Sequence, residues 1–145
     1  MPVSLALLSI DRFSEIEKSL GINNRNLILK SIASIITKTS RVNDFSFRTN
    51  ENELALLLPH CQKKGAIIRA ERLRRLIETH SFTVNGLKIS VSAGVSEYPS
   101  LCSSANELEA SARHALNYIS SKEGNKVCLY SPPQDFIPAY EVNPA

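Results

Sequence analysis

The chain reads as an α/β fold of the α+β kind, a mixed sheet with helices packed against it. Three observations predict this. Apolar runs of strand length alternate with longer segments of helical period. Two of the runs share one stretch, Arg41 to Leu58, as short strands around a tight polar turn. The order is strand, helix, helix, strand, strand, helix, strand, strand, helix, strand, which sets long helices around a central hairpin.

Val3 to Ile10 is apolar almost throughout and suits a first, central strand. Asp11 to Leu20 reads as a short helix with Phe13 and Ile16 inward, ended by Gly21. Asn23 to Thr39 is a longer helix whose stripe is Ile28, Ile32, Ile35 and Ile36. In the hairpin, Phe45 and Phe47 alternate with Ser46 and Arg48. Thr49-Asn50-Glu51-Asn52 has turn composition, and Leu54 to Leu58 is an unbroken apolar run closed by Pro59. Lys63 to Thr79 is a third helix, with Ala66, Ile67, Ala70, Leu73 and Ile77 toward the core and arginines opposite. Phe82 to Val84 and Leu87 to Val95 read as strands joined by Asn85-Gly86. Ser104 and Glu107 make a capping box that opens a helix with Leu108, Ala112, Ala115 and Ile119 inward. Lys126 to Tyr130 is a final strand. Residues 1–130 thus form one domain, and 131–145, with Pro132, Pro133, Pro138 and Pro144, a tail or linker.

A length of 145 residues suits one domain with a genuine core. The net charge of +3 is too mild for a nucleic-acid binder, and the cluster Arg69, Arg72, Arg74 and Arg75 reads first as a solvated helix face. Cys61, Cys102 and Cys128 have no metal spacing and no disulfide framework, as for free thiols in a reducing compartment. His60, His80 and His114 are unpatterned. No run approaches membrane-spanning length, and the apolar start lacks the layout of a signal peptide. The expectation is a cytoplasmic protein, or a cytoplasmic piece of a larger one, without membrane insertion.

Several short motifs then fall in a recognisable order. They are Ile10-Asp11-x-Phe13 after an apolar strand, a hairpin ending in Leu56-Leu57-Leu58-Pro59, Ala70-Glu71-Arg72-Leu73-Arg74, and Val91-Ser92-Ala93-Gly94-Val95. Together they resemble the GGDEF domain family, the bacterial diguanylate cyclases, over about Val3 to Leu129. The resemblance implies a nucleotidyl-cyclase palm, a mainly antiparallel sheet with helices around it. The usual Asp-x-Leu-Thr-Gly-Leu-x-Asn-Arg lead-in is absent before the first strand.

Active members of the family join two GTP molecules into cyclic di-GMP, with two domains face to face and divalent metal neutralising charge. The resemblance places the metal carboxylates at Ser9 and Asn52, which are neutral here. The signature glycines correspond to Asn50 and Glu51, whose side chains take room near a triphosphate. Glu53 matches the fourth signature letter and Leu54 follows it. The guanine-reading positions hold Glu17 and Asn26, and the phosphate-contacting ones Ser120 and Gly124, with Lys122 and Lys126 nearby. Asp11 is expected to cap a local turn. The expectation is a degenerate domain that is no enzyme, with no catalytic residue, metal or cofactor.

Arg41-Val42-Asn43-Asp44 stands five residues before the signature, as does the family's inhibitory product site. Arg72 matches a further arginine of that site, and Arg69 lies one turn before it. An arginine fork can bond the guanine O6 and N7 edge or a phosphate, and a carboxylate can accept from guanine N1 and N2. The plain alternative is a surface ion pair between Arg41 and Asp44. Arg48 is expected to pair with Asp44 or Glu53. The expectation is a cyclic di-GMP receptor that signals to a protein partner, a neighbouring domain or a second copy. The alternatives are a protein-contact or dimerisation module without nucleotide, and a domain that binds GTP without turnover.

Overall fold

The computed structural model describes residues 1–80, 82 and 88–132. The elements are β1 (Val3–Ile10), α1 (Phe13–Thr39), β2 (Phe45–Asn50), β3 (Glu53–Pro59), α2 (Lys63–Thr79), β4 (Val91–Tyr98), α3 (Ala105–Ser120) and β5 (Val127–Leu129). They form a five-stranded sheet of order β2-β3-β1-β4-β5. β1 pairs antiparallel with β3 and β4, β2 antiparallel with β3, and β5 parallel with β4. The result is the α+β fold the element order predicts, with β1 at its centre.

One face of the sheet carries α1 and α2. Ile28, Ile32 and Ile36 of α1 and Leu73 and Ile77 of α2 are buried there against Leu8, Leu54, Leu56 and Leu58. The other face carries α3, where Leu108, Ala112 and Leu116 meet Leu5, Leu7 and Ala55. Both helical stripes follow from their 3.6-residue spacing.

The predicted break at Gly21 is present inside one long helical span. Gly21 sits at φ 79°, ψ 169°, which interrupts the helical ladder. The Asn24 side chain donates to the Leu20 carbonyl at 2.9 Å, close to the break. At the start of α3, Ser104 Oγ accepts from Glu107 N at 3.2 Å. The Glu107 carboxylate reaches back to Ser103 N at 2.8 Å, one residue ahead of the expected partner.

Two expectations change. The alternation in β2 suggests a half-buried strand, yet all six of its residues are exposed, Phe45 at 58% and Phe47 at 49%. β2 is an edge strand, and α3, which packs on β4 and β1, is not a neighbour of its Phe face. The strand expected over Leu87–Val95 begins at Val91 and runs to Tyr98. The expected strand Phe82–Val84 and its Asn85-Gly86 turn lie outside the described residues, apart from Phe82, which is buried. Within the tail, 133–145 likewise lies outside them.

Candidate functional site

The β2–β3 turn is fixed mainly by side chains of the hairpin that bond its backbone. Arg48 Nε donates to the Asn50 carbonyl at 3.0 Å and Arg48 Nη2 to the Glu51 carbonyl at 2.9 Å. Arg48 therefore braces the turn and does not pair with Asp44 or Glu53 as expected. Asn52 N donates to Asn50 Oδ1 at 3.1 Å, an Asx-type bond, and Ile10 N donates to the Asn52 carbonyl at 3.1 Å. The second of these ties the turn to the end of β1. Ser9 lies opposite Glu53 on one side and Ser92 on the other.

Glu53 is 4% exposed. Arg113 of α3 meets it as a fork, Nη1 to Oε1 and Nη2 to Oε2, both at 2.8 Å, and Thr49 Oγ1 donates to Oε2 at 2.5 Å. Burial alone would raise the Glu53 pKa, but the Arg113 and Thr49 hydrogen bonds outweigh it and hold the carboxyl below its ordinary value. Leu54 is buried in the α1 side of the core. Glu51 points outward, with Arg25 Nη1 at 3.8 Å. Arg25 also bonds Glu17 at 3.0 Å and lies 5.7 Å from the Phe13 ring centroid, a cation–π contact. Its Nε meets Asn26 Oδ1 at 3.4 Å, so Glu17, Asn26 and Glu51 share one arginine.

Asp11 does more than cap a turn. Its Oδ1 accepts from Ser92 Oγ at 2.6 Å, and its Oδ2 from Ser90 Oγ at 2.6 Å and Asn125 N at 2.8 Å. One carboxylate thus joins the end of β1, the start of β4 and the approach to β5. With Glu53 it is an acid close to the hairpin turn, and all four of these oxygens are engaged. No group of three His, Cys, Asp or Glu converges among the described residues. As arranged, these side chains do not by themselves fit a bound divalent cation. A magnesium ion that arrives with a nucleotide is held largely by water and phosphate oxygens and needs fewer protein ligands.

The second cluster sits where the loop before β2 meets α2. Asp44 N donates to the Arg41 carbonyl at 3.1 Å, and Arg41 N donates to Asp44 Oδ2 at 2.8 Å. Arg69 Nη1 donates to the same Oδ2 at 2.5 Å. The Arg69 and Asp44 side chains are 11% and 5% exposed. Arg69 Nη2 is buried without a hydrogen-bond partner. The charge of Arg41 is felt nearby: burial pushes the Cys61 thiol up, while Arg41 and Arg69 pull it down. The structure thus brings the Arg41 main chain, the Asp44 carboxylate and the Arg69 guanidinium together, without Arg72. The turn replaces the alternative side-chain ion pair between Arg41 and Asp44. Arg72 is exposed on the next turn of α2, beside Ile68, Glu71 and Leu76 in a shallow cavity of 420 Å³.

The palm-like sheet and the hairpin define a nucleotidyl-cyclase type of domain. Residues 1–126 match the family model described as diguanylate cyclase, GGDEF domain, and the chain belongs to that family. Diguanylate cyclase A of Treponema denticola is 32% identical over 130 residues, covering 88% of this chain and 35% of that protein. The chain thus spans about a third of that relative's length. The active GGEEF domain of a diguanylate cyclase from Vibrio cholerae superposes with a TM-score of 0.86 at 22% identity, covering 92% of this chain and 85% of that one. The GGDEF domain of DgcB from Caulobacter crescentus, solved in complex with c-di-GMP, gives 0.80 at 21% identity, covering 89% and 76%. At these identities the two structures establish the fold.

The matches overturn the expectation that the chain is no enzyme. The family model and the Treponema relative both carry the name of the cyclase activity. The physical reason is that neutral side chains at Ser9 and Asn52 do not by themselves preclude a metal-dependent nucleotide site. The resemblance expects carboxylates where Ser9 and Asn52 stand, but phosphate and water supply much of a magnesium shell in a nucleotide site.

Arg113, Arg25 and Asn125 are site residues that sequence reasoning missed. Arg113 stands 60 positions from Glu53, and Asn125 is 114 from Asp11. Neither pairing leaves a local pattern to read.

Proposed function

We propose that this domain works in cyclic di-GMP signalling and binds cyclic di-GMP beside the hairpin, through Arg41, Asp44, Arg69 and Arg72. What supports the reading is that Asp44 Oδ2 accepts from the Arg41 main-chain N and from the Arg69 guanidinium ahead of β2, with the Arg41 side chain exposed beside them. Guanidinium groups suit the phosphates and the guanine O6 and N7 edge, and a carboxylate suits guanine N1 and N2. Arg72, exposed one turn further on α2, is free to stack on a purine or meet a phosphate. A GGDEF domain of the same fold is known in complex with this ligand. Diguanylate cyclase chemistry, the activity in the relatives' names, yields the same compound. Ile68 and Leu76, exposed on either side of Arg72, give a protein partner or a second copy an apolar footing next to the ligand.

Isothermal titration calorimetry with cyclic di-GMP tests the site. Wild type binds, and Arg41→Ala weakens binding about tenfold or more, as for loss of an arginine anchor. No heat from the wild type at near-millimolar protein overturns the reading and leaves the domain as a protein-contact module.

A further inference from the structure

Asp44 is closed in this structure. Its Oδ2 accepts from both Arg41 N and Arg69 Nη1, and the side chain is 5% exposed. Arg69 therefore holds the Oδ2 that a ligand's donor edge would share. Arg69 is itself incompletely satisfied, because its Nη2 is buried without an acceptor. Pulling this pair apart with nothing to replace either partner strands two opposite charges in a place largely shielded from water, which is strongly unfavourable.

We propose that Arg69 and Asp44 form an exchangeable clasp that makes the site select phosphate-bearing guanine nucleotides over the nucleoside. The inference rests on the binding reading above. A ligand offering only a guanine edge satisfies Asp44 and strands Arg69. One offering only an anion satisfies Arg69 and strands Asp44. A nucleotide offers both at once. Its phosphate oxygens can take Nη1 and Nη2 together as a fork, which meets the donor that now has no acceptor. One ion pair is exchanged for two charge-assisted contacts, and neither side chain is left without a hydrogen-bonding partner. Arg69 is a specificity-determining residue on this account, and its effect falls on ligand choice as well as on affinity.

The test compares cyclic di-GMP with guanosine, on the wild type and on Arg69→Met. The wild type prefers cyclic di-GMP strongly. In Arg69→Met that preference falls about tenfold or more, with guanosine binding kept or tightened. Equal weakening of both ligands, or an unchanged preference, overturns the clasp and leaves a structural ion pair. Arg69→Gln, which keeps a neutral donor, gives the same shift if the methionine variant does not fold. A second measurement needs no variant. In the wild type, saturating inorganic phosphate tightens guanosine binding about threefold or more against chloride of equal ionic strength, because each ligand relieves the charge the other strands. No tightening overturns the proposal. Failure of the wild type to bind cyclic di-GMP removes the binding reading and the clasp together. Binding that Arg41→Ala weakens, with no change of preference in Arg69→Met, removes the clasp alone.

Discussion

At the scale of single residues, Glu53 shows how a buried acid is anchored by the rest of the fold. Arg113 holds both of its oxygens from α3, and Thr49 holds one. Removing Arg113 leaves a buried carboxylate without its cation, so Arg113→Met should destabilise the fold by about 2 kcal/mol at neutral pH in urea melts. The pH dependence has a definite sign. Glu53 and Glu71 both have folded pKa values below their unfolded ones, Glu71 down to about 2 through hydrogen bonds from Arg74 and Arg75. Such groups stabilise fully above the unfolded value of about 4.3, and the contribution is lost as pH falls below it. Stability should therefore hold from neutral pH to about 5 and decline from there toward about 2. With Arg113 gone, burial of Glu53 is no longer outweighed, so the gap between Arg113→Met and wild type should narrow in acid. A gap that widens at low pH counts against this account. The sequence singled out Glu53 through the resemblance. Its partner was not legible, because the contact is made by helix docking and not by spacing.

At the scale of elements, two glycines act through different physics. Gly21 breaks α1 at positive φ with open space around it, so a side chain there meets backbone strain and no clash. Gly94 lies in β4 directly under α3. A Cβ on it would stand 2.2 Å from the Ala112 carbonyl oxygen and 2.3 Å from Leu116 N. Both are backbone atoms, so α3 can yield only by lifting from the sheet. Gly94→Ala should cost about 3 kcal/mol, read as a drop in melting temperature, and a neutral result would show that α3 shifts freely. The periodic stripes of α1, α2 and α3 made these helices legible, since each buries residues of its predicted face. β2 misled for the opposite reason. Alternation records which residues share a face, and it does not record whether another layer covers that face.

At the scale of the whole molecule, the sheet sets the hairpin, β1 and α2 in one frame around two clusters. Asp11 ties three strands at one end of it. Arg74 extends this network, bonding Glu71 and Asn125, so α2 is joined to the approach to β5. A ligand that binds only the native state stabilises all of this together. Cyclic di-GMP at a hundredfold excess over Kd should add about 2.7 kcal/mol, a rise of roughly 5–10 °C in Tm for a domain of this size. A melting curve unmoved by the ligand would speak against the site.

The sequence by itself determined the fold class, the apolar stripes of the three helices, the turn of the hairpin and the family, because these depend on local periodicity and on motifs in fixed order. The tertiary structure decided which polar groups meet. Arg113 reaches Glu53, Asn125 reaches Asp11, and Arg69 rather than Arg72 closes on Asp44. The reason is physical. Side-chain period follows from backbone geometry within a few residues, whereas an ion pair between distant segments exists only once the layers have packed.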